Sequence, residues 1–331
     1  PDYLSVIYTN HDTNPNLDKQ IISFIETINL WIIYKMRAAL LLGFVGLATA
    51  LRVVLPEDGT AASLGYHEAV GIPQANRIKL SEENLMADDA SRIVGGSFAP
   101  ANVHPYLGGL IISLEGISGN SVCGSTLISA NRLVTAARCW FDGRHQATQF
   151  LVVLGSQYLF FGGTRIPTST VISHPQYSPA TLVNDIAVVY LPNNVFFNQR
   201  IQPLALPSAT DLAEEFVGTW AIAAGYGRTS DQQTSISTGT QISHVTLQVQ
   251  SVAQCQSLLG LWVQPSMLCT SGAGGVGICA GDTGGPLVLN RNGQNILVGI
   301  ASFTSDLGCQ VGLPSVFTRV TSYISFIIQN I

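Results

Sequence analysis

The most constraining feature of this chain is a series of short apolar or alternating segments that recur over residues 93–331. Most are too short for a typical helix but have the usual length of a β-strand. Gly, Asn and Pro residues separate them, which is typical of antiparallel barrels and sandwiches. The segments are 106–114, 125–128, 132–136, 150–154, 186–191, 220–224, 243–249, 286–289, 296–303 and 315–319. They predict an all-β fold.

The period changes only near the end of the chain. Six apolar residues there recur at helical spacing and would share one helical face: Val320, Tyr323, Ile324, Ile327, Ile328 and Ile331. We therefore expect one C-terminal helix that packs its apolar face against the β-rich region.

Composition and charge exclude several classes of function. The 331 residues carry a net charge of −5 with only 11% charged residues, and no basic run is present. A phosphate-backbone partner is therefore not expected. The sequence has no Walker-type loop and no His/Cys cluster at zinc spacing, so we predict no cofactor, no metal and no nucleic acid.

Residues 36–50 have the pattern of a secretory signal peptide. Met36 and Arg37 precede an apolar stretch that ends in Ala48, Thr49 and Ala50. A signal anchor is the alternative, but the stretch is shorter than the about 20 residues of a membrane span. We expect residues 1–35 to be upstream, non-native sequence, and the protein to be secreted without membrane association.

All six cysteines follow residue 120, and secretion would place them in an oxidising compartment. Six cysteines allow fifteen pairings, and spacing alone does not choose among them. The segment 51–92, which would lie between the signal peptide and the β-rich region, is acidic, compatible with a helix and free of cysteine.

Four short motifs carry a family resemblance: RIVGG at 92–96, TAARC at 135–139, NDIA at 184–187 and CAGDTGGPL at 279–287. They resemble the activation junction, the general-base loop, the acid motif and the nucleophile loop of chymotrypsin-like (S1 family) serine proteases. The resemblance implies two antiparallel six-stranded β-barrels with a C-terminal helix over 93–331, and an activation propeptide at 51–92. It also implies the disulfides Cys123–Cys139, Cys255–Cys269 and Cys279–Cys309.

The resemblance places the catalytic triad at Arg138, Asp185 and Thr283, where the family carries His, Asp and Ser. A general base needs a pKa near the working pH, and arginine stays protonated in proteins. The γ-methyl of Thr283 also restricts its χ1 angle at a site shaped for serine. Gly281 and the Thr283 amide remain as oxyanion donors. The triad is therefore predicted to be disabled.

A direct pair between the Arg138 guanidinium and Asp185 would lower the pKa of the carboxyl group. It would then stabilise the fold above the pKa of the unfolded chain and lose that effect in acid.

By the same resemblance, Gly277 forms the floor of the substrate pocket, and Thr304 and Ser315 form its walls. An uncharged floor favours an apolar or aromatic side chain, whereas Thr304 replaces a glycine that keeps the pocket open. Cleavage after Arg92 by a trypsin-like protease would free the Ile93 amine to pair with Asp282.

Residues 93–331 contain eight arginines and no lysine. An alkaline gut lumen, where arginine keeps its charge, is one explanation. Loss of sites for lysine-specific proteases and drift in composition are the others.

The main hypothesis is a secreted, monomeric serine protease homologue without catalysis that binds protease inhibitors, peptides or other proteases. One alternative is an S1 endopeptidase with residual chymotrypsin-like activity on the Thr283 hydroxyl. The other is a decaying gene copy or a sequencing error without a selected role.

Overall fold

The computed structural model describes residues 65–88, 103–231 and 242–331, and within them the chain forms thirteen β-strands. The strands are β1 Leu107–Leu114, β2 Asn120–Ser129, β3 Arg132–Thr135, β4 Ala147–Leu154, β5 Thr164–Thr168, β6 Val171–Ser173, β7 Ala187–Tyr190, β8 Trp220–Gly225, β9 Ser243–Gln250, β10 Met267–Thr270, β11 Pro286–Arg291, β12 Gln294–Phe303 and β13 Ser315–Arg319. Each segment predicted from the sequence overlaps a strand. The pattern missed β5, β6 and β10.

Strands β1–β7 form one antiparallel sheet in the order β5-β4-β1-β2-β3-β7-β6. Its two edges, β5 and β6, do not pair with each other, so the sheet is a curled half-barrel. The expected closed six-stranded barrel is wrong for this half. Strand β6 has only three residues and offers few backbone groups to a further strand. Short edge strands of this kind limit further pairing in open sheets.

Strands β8–β13 close into a barrel in the order β10-β13-β12-β11-β8-β9. Fully buried apolar side chains from neighbouring strands fill it, among them Leu247, Leu268, Val298 and Phe317. This half matches the prediction. The mostly β, chymotrypsin-like fold class is confirmed.

Three α-helices accompany the strands in the described residues: α1 Ile72–Asp88, α2 Val252–Leu259 and α3 Ile324–Ile328. Helix α1 continues a π-helical turn, His67–Gly71, in which the Ile72 amide donates to the His67 carbonyl. Pro73 lacks an amide hydrogen and cannot donate to the carbonyl of Ala69, which favours this wider turn. The helical character expected within 51–92 is present here.

The other two helices differ from the prediction. Helix α2 was not predicted, although Ser251 and Gln254 form a capping box at its start. At the C terminus a 3₁₀ turn, Val320–Tyr323, leads into α3. Val320, Tyr323 and Ile327 are buried as expected, whereas Ile328, the last residue of the helix, and Ile331 beyond it are exposed.

The signal peptide at 36–50 and the segment 1–35 lie outside the described residues. Among the helices described, none combines the length and the apolar character that a membrane crossing requires.

The core of the closed barrel gives a first prediction. Phe317→Ala removes a fully buried ring, whereas Phe196→Ala removes a ring that is 92% exposed. We expect the first change to lower the free energy of unfolding by about 3–5 kcal/mol and the second to change it by less than about 0.5 kcal/mol. Equilibrium urea denaturation of both variants measures this, and equal effects would contradict the assigned core.

Candidate active site

The three triad positions lie beside strand ends and meet between the two sheets. Arg138 lies on the 3₁₀ turn Ala137–Cys139 that follows β3, Asp185 precedes β7 and Thr283 precedes β11. The Arg138 amide donates to Asp185 Oδ1 at 2.8 Å. The Gly124 amide of β2 donates to the Thr283 carbonyl at 2.7 Å. The structure therefore brings together the residues that the sequence motifs select.

Three disulfides hold the loops around this region. They are Cys123–Cys139, Cys255–Cys269 and Cys279–Cys309, the same pairs that the resemblance implies. The first ties the turn that carries Arg138 to strand β2. The third ties the start of the loop that carries Thr283 to the segment between β12 and β13.

The Asp185 carboxylate is fully buried and accepts several hydrogen bonds. Besides the Arg138 amide, the Ser302 hydroxyl donates to Asp185 Oδ2 at 2.6 Å. Burial raises the pKa of Asp185, and the charge of Arg138 and these hydrogen bonds oppose that rise only in part. Burial disfavours the charged form of an acid. The expected lowering of this pKa is therefore wrong.

The Arg138 guanidinium extends past Asp185 instead of pairing with it. Its Nη1 donates to the Ser302 carbonyl at 2.6 Å, and its central carbon lies 4.9 Å from the centre of the Tyr66 ring. Within the described ranges, no guanidinium nitrogen of Arg138 lies within ion-pair distance, 4.0 Å, of the carboxylate. The guanidinium thus binds a neutral carbonyl and an aromatic face and not the carboxylate.

Thr283 is buried beside the same tyrosine. The Tyr66 hydroxyl donates to the Val122 carbonyl at 2.8 Å and also interacts with the Thr283 side chain. Burial raises the pKa of Tyr66 to about 12, against the opposing effects of Arg138 and Thr283. Across the described residues, no histidine forms a hydrogen bond with Thr283. Nothing that accepts a proton near neutral pH is therefore in contact with this hydroxyl.

The predicted oxyanion loop lies against helix α1. Gly281 has a positive φ of 102°, and a Cβ atom there would lie 2.8 Å from Cγ of Gln74. The next residue, Asp282, accepts hydrogen bonds from the amides of Gly227 and Cys279, both at 2.9 Å. Burial raises the pKa of Asp282 to about 6, while the charge of Arg77 on α1 lowers it.

The predicted pocket residues occupy the closed barrel. A Cβ atom on Gly277 would lie 2.6 Å from Ser315 Oγ, so these two positions are in direct contact. The Ser315 hydroxyl is buried and accepts from the Ile278 amide at 3.1 Å. Thr304 is half-buried and follows β12. Ser315 therefore occupies the space that a side chain at the floor would need.

Arg92 and Ile93 lie outside the described residues, so the pairing of the Ile93 amine with Asp282 stays a prediction. Three residues that line this site were not predicted from the sequence: Tyr66, Gln74 and Arg77. All three belong to the segment expected to be a propeptide. Its helix-compatible composition was the only signal, and no motif connected it with the catalytic positions.

Burial of Asp185 gives a pH prediction. Because its folded pKa is raised, its contribution to stability is most favourable below the unfolded value of about 3.9 and is lost as the pH rises through the folded pKa. An asparagine side chain at this position stays neutral and can still accept from the Arg138 amide. The stability of Asp185→Asn relative to the natural chain should therefore increase between about pH 3 and pH 7.

Urea denaturation at the two pH values measures this difference, with Glu115→Gln at an exposed turn as the control. A relative stability of Asp185→Asn that falls with rising pH would instead indicate a lowered pKa.

Comparisons with known proteins agree with this geometry. The family profile described as "Trypsin" matches residues 93–327. A collagenase of Hypoderma lineatum is 34% identical over 241 residues, which cover 72% of this chain and 87% of that protein. Brachyurin of Leptuca pugilator is 36% identical over 71% of this chain and 96% of its own length. Serine protease 1 of Drosophila melanogaster is 33% identical, with 73% and 87% covered.

A solved structure of HL collagenase superposes with a TM-score of 0.64 at 32% identity, over 72% of this chain and 98% of the other. The family profile and the relatives both cover well over half of the chain. The fold and the disulfide bonds agree with that match. The chain belongs to the trypsin family of serine proteases.

Proposed function

We propose that this chain is a secreted trypsin-family homologue that does not hydrolyse peptide bonds and acts by binding. The observation that carries the proposal is the arginine at residue 138, where the family motif has the histidine that acts as general base. Nucleophilic attack by a hydroxyl requires a neighbouring group that accepts its proton. Arginine has no acceptor atom and keeps its charge.

The neighbouring groups do not replace the missing base. Asp185 is fully buried, and its carboxylate binds the Arg138 amide and the Ser302 hydroxyl; among the described residues it forms no hydrogen bond with Thr283. The Tyr66 hydroxyl has a pKa of about 12 and donates its proton to the Val122 carbonyl. With so high a pKa, the Tyr66 hydroxyl is almost entirely protonated at neutral pH and cannot take the proton of Thr283.

The remaining architecture supports binding. Two sheets and three disulfides surround the altered triad, and the predicted pocket residues Gly277 and Ser315 are uncharged and in contact. These parts hold the surface loops in place, and they do not depend on a working catalytic triad. We infer peptide and protein ligands, including protease inhibitors and other proteases, in an extracellular fluid.

Active-site labelling tests this proposal. Chain cleaved after Arg92 should not react with a fluorophosphonate and should not turn over apolar peptide substrates above background. The double variant Arg138→His with Thr283→Ser should gain labelling and at least about 100-fold in kcat/KM, since a general base contributes about 10²–10⁴-fold. The matched control is Arg138→His with Thr283→Ala, which has a base but no nucleophile.

The outcomes separate the hypotheses. Labelling of Thr283 in the natural chain, located by peptide mapping, would contradict the proposal and favour a residual endopeptidase. A labelled double variant with an unlabelled control would show that the scaffold is intact and that Arg138 and Thr283 alone remove catalysis.

A further inference from the structure

Residues 65–88, which we call the cleft segment, lie directly over the triad and the oxyanion loop. The Tyr66 ring faces the Arg138 guanidinium at 4.9 Å, and its hydroxyl interacts with Thr283. Eight residues later, Gln74 packs on Gly281. A ligand that approached Thr283 or the oxyanion loop would therefore meet these two side chains first.

An apolar face of helix α1 holds the cleft segment in place. Ala75 and Ile78 are buried and share one cluster with residues of the β-rich region. The spacing of three residues places both side chains on one side of the helix. Their partners are Leu107, Ile111, Val122, Val153, Leu159, Ala224, Tyr226 and Ile242. Leu80, on the same helix, is 48% exposed and takes no part in this cluster.

Polar contacts fix both ends of the cleft segment. At the helical end, the buried Glu82 carboxylate accepts from the Leu159 amide at 2.6 Å and the Phe160 amide at 2.7 Å. At the other end, the His67 amide donates to Asp142 at 2.8 Å, and its Nδ1 lies 2.8 Å from the Ser121 hydroxyl. Hydrogen bonds to a carboxylate are the stronger kind in proteins.

The cleft segment also supplies a cation to Asp282. Among the described residues, Arg77 is the side chain whose charge lowers the pKa of this carboxyl group. The family resemblance predicts that the Ile93 amine pairs with the same carboxyl group after cleavage. The charge of Arg77 therefore acts on the same carboxyl group to which the resemblance assigns the Ile93 amine.

The docking is less complete than that of a permanent core element. His67 Nε2, Gln74 Nε2 and both terminal nitrogens of Arg77 are buried without a hydrogen-bond partner in the described part of the chain. Unpaired buried polar atoms oppose docking because they lose their contacts with water. The segment also contains no cysteine, so no disulfide would retain it once the chain is cut after Arg92.

We propose that the cleft segment is an internal ligand that closes the binding cleft in the uncleaved chain and leaves when the chain is cut after Arg92. Its departure exposes an apolar groove that runs from Val122 to Tyr226 and ends at Thr283. The groove then accepts a helical segment of a partner protein with the chemistry of the cleft segment: an aromatic side chain at the triad and apolar side chains along the sheet. This holds whether or not Thr283 has any activity.

Hydrogen exchange measured by mass spectrometry tests the proposal on the whole chain. In the uncleaved protein, the Leu159 and Phe160 amides should exchange slowly because Glu82 accepts from both. After limited tryptic cleavage, checked by amino-terminal sequencing at Ile93, residues 51–92 should separate from the domain in gel filtration. The two amides should then exchange at least about 10-fold faster, and an added synthetic peptide of residues 51–92 should restore their protection.

Two results would overturn the proposal. Co-elution of 51–92 with the cleaved domain, with unchanged protection, would make the segment a permanent part of the fold. Loss of the segment without any change in exchange would show that it never covered the cleft.

Peptide variants identify the contacts that matter. Fluorescence anisotropy with the labelled 51–92 peptide and the cleaved domain should show at least about 10-fold weaker binding for Ile78→Ala, which loses a buried side chain. Leu80→Ala, which shortens an exposed side chain on the same helix, should bind within about 2-fold of the natural peptide. Equal affinities for the two variants would contradict the docking described here. The assay needs no catalysis and is therefore distinct from the labelling experiment.

Discussion

The buried carboxyl group of Asp185 is the contact on which the rest of this site depends. Its side chain accepts from the Arg138 amide, on the turn that follows β3 of the first sheet, and from Ser302 of β12 in the closed barrel. Its own carbonyl accepts from the Thr318 hydroxyl of β13 at 2.7 Å. One residue therefore connects both halves of the fold, and the connection uses the backbone of residue 138 and not its side chain.

This division explains how a protease fold tolerates arginine in place of histidine. The amide of residue 138 is the same for every amino acid except proline, so its bond to Asp185 survives the substitution. The guanidinium is then placed by what remains nearby, the Ser302 carbonyl and the Tyr66 ring. The side chain of residue 138 thus accounts for the loss of proton transfer, while its backbone amide preserves the hydrogen bond to Asp185.

Much of the fold and of the candidate site could be predicted from the sequence, because motifs and strand-length apolar segments are local. The segments located ten of the thirteen strands, and the motifs located Arg138, Asp185 and Thr283. Strands β5 and β6 were missed because they are short, partly exposed edge strands with few buried apolar residues. The open first sheet and the direction of the Arg138 side chain depend on contacts between distant residues, which no local pattern encodes. The same is true of Tyr66 and Gln74, since nothing in the segment 51–92 identifies the surface that it meets.

The wide turn before Pro73 has a consequence for what the cleft segment can present. Each residue of an α-helix advances the side-chain direction by about 100°. One additional residue in a π turn therefore rotates the side chains that precede the turn relative to those that follow it. Tyr66 packs in the cluster around Leu110 and Phe150, while Ile78 packs in the one around Ile111 and Tyr226. A regular helix through this point would change the angle between these two side chains. The rotation introduced by the π turn before Pro73 thus lets one short helical segment contact two differently oriented surfaces.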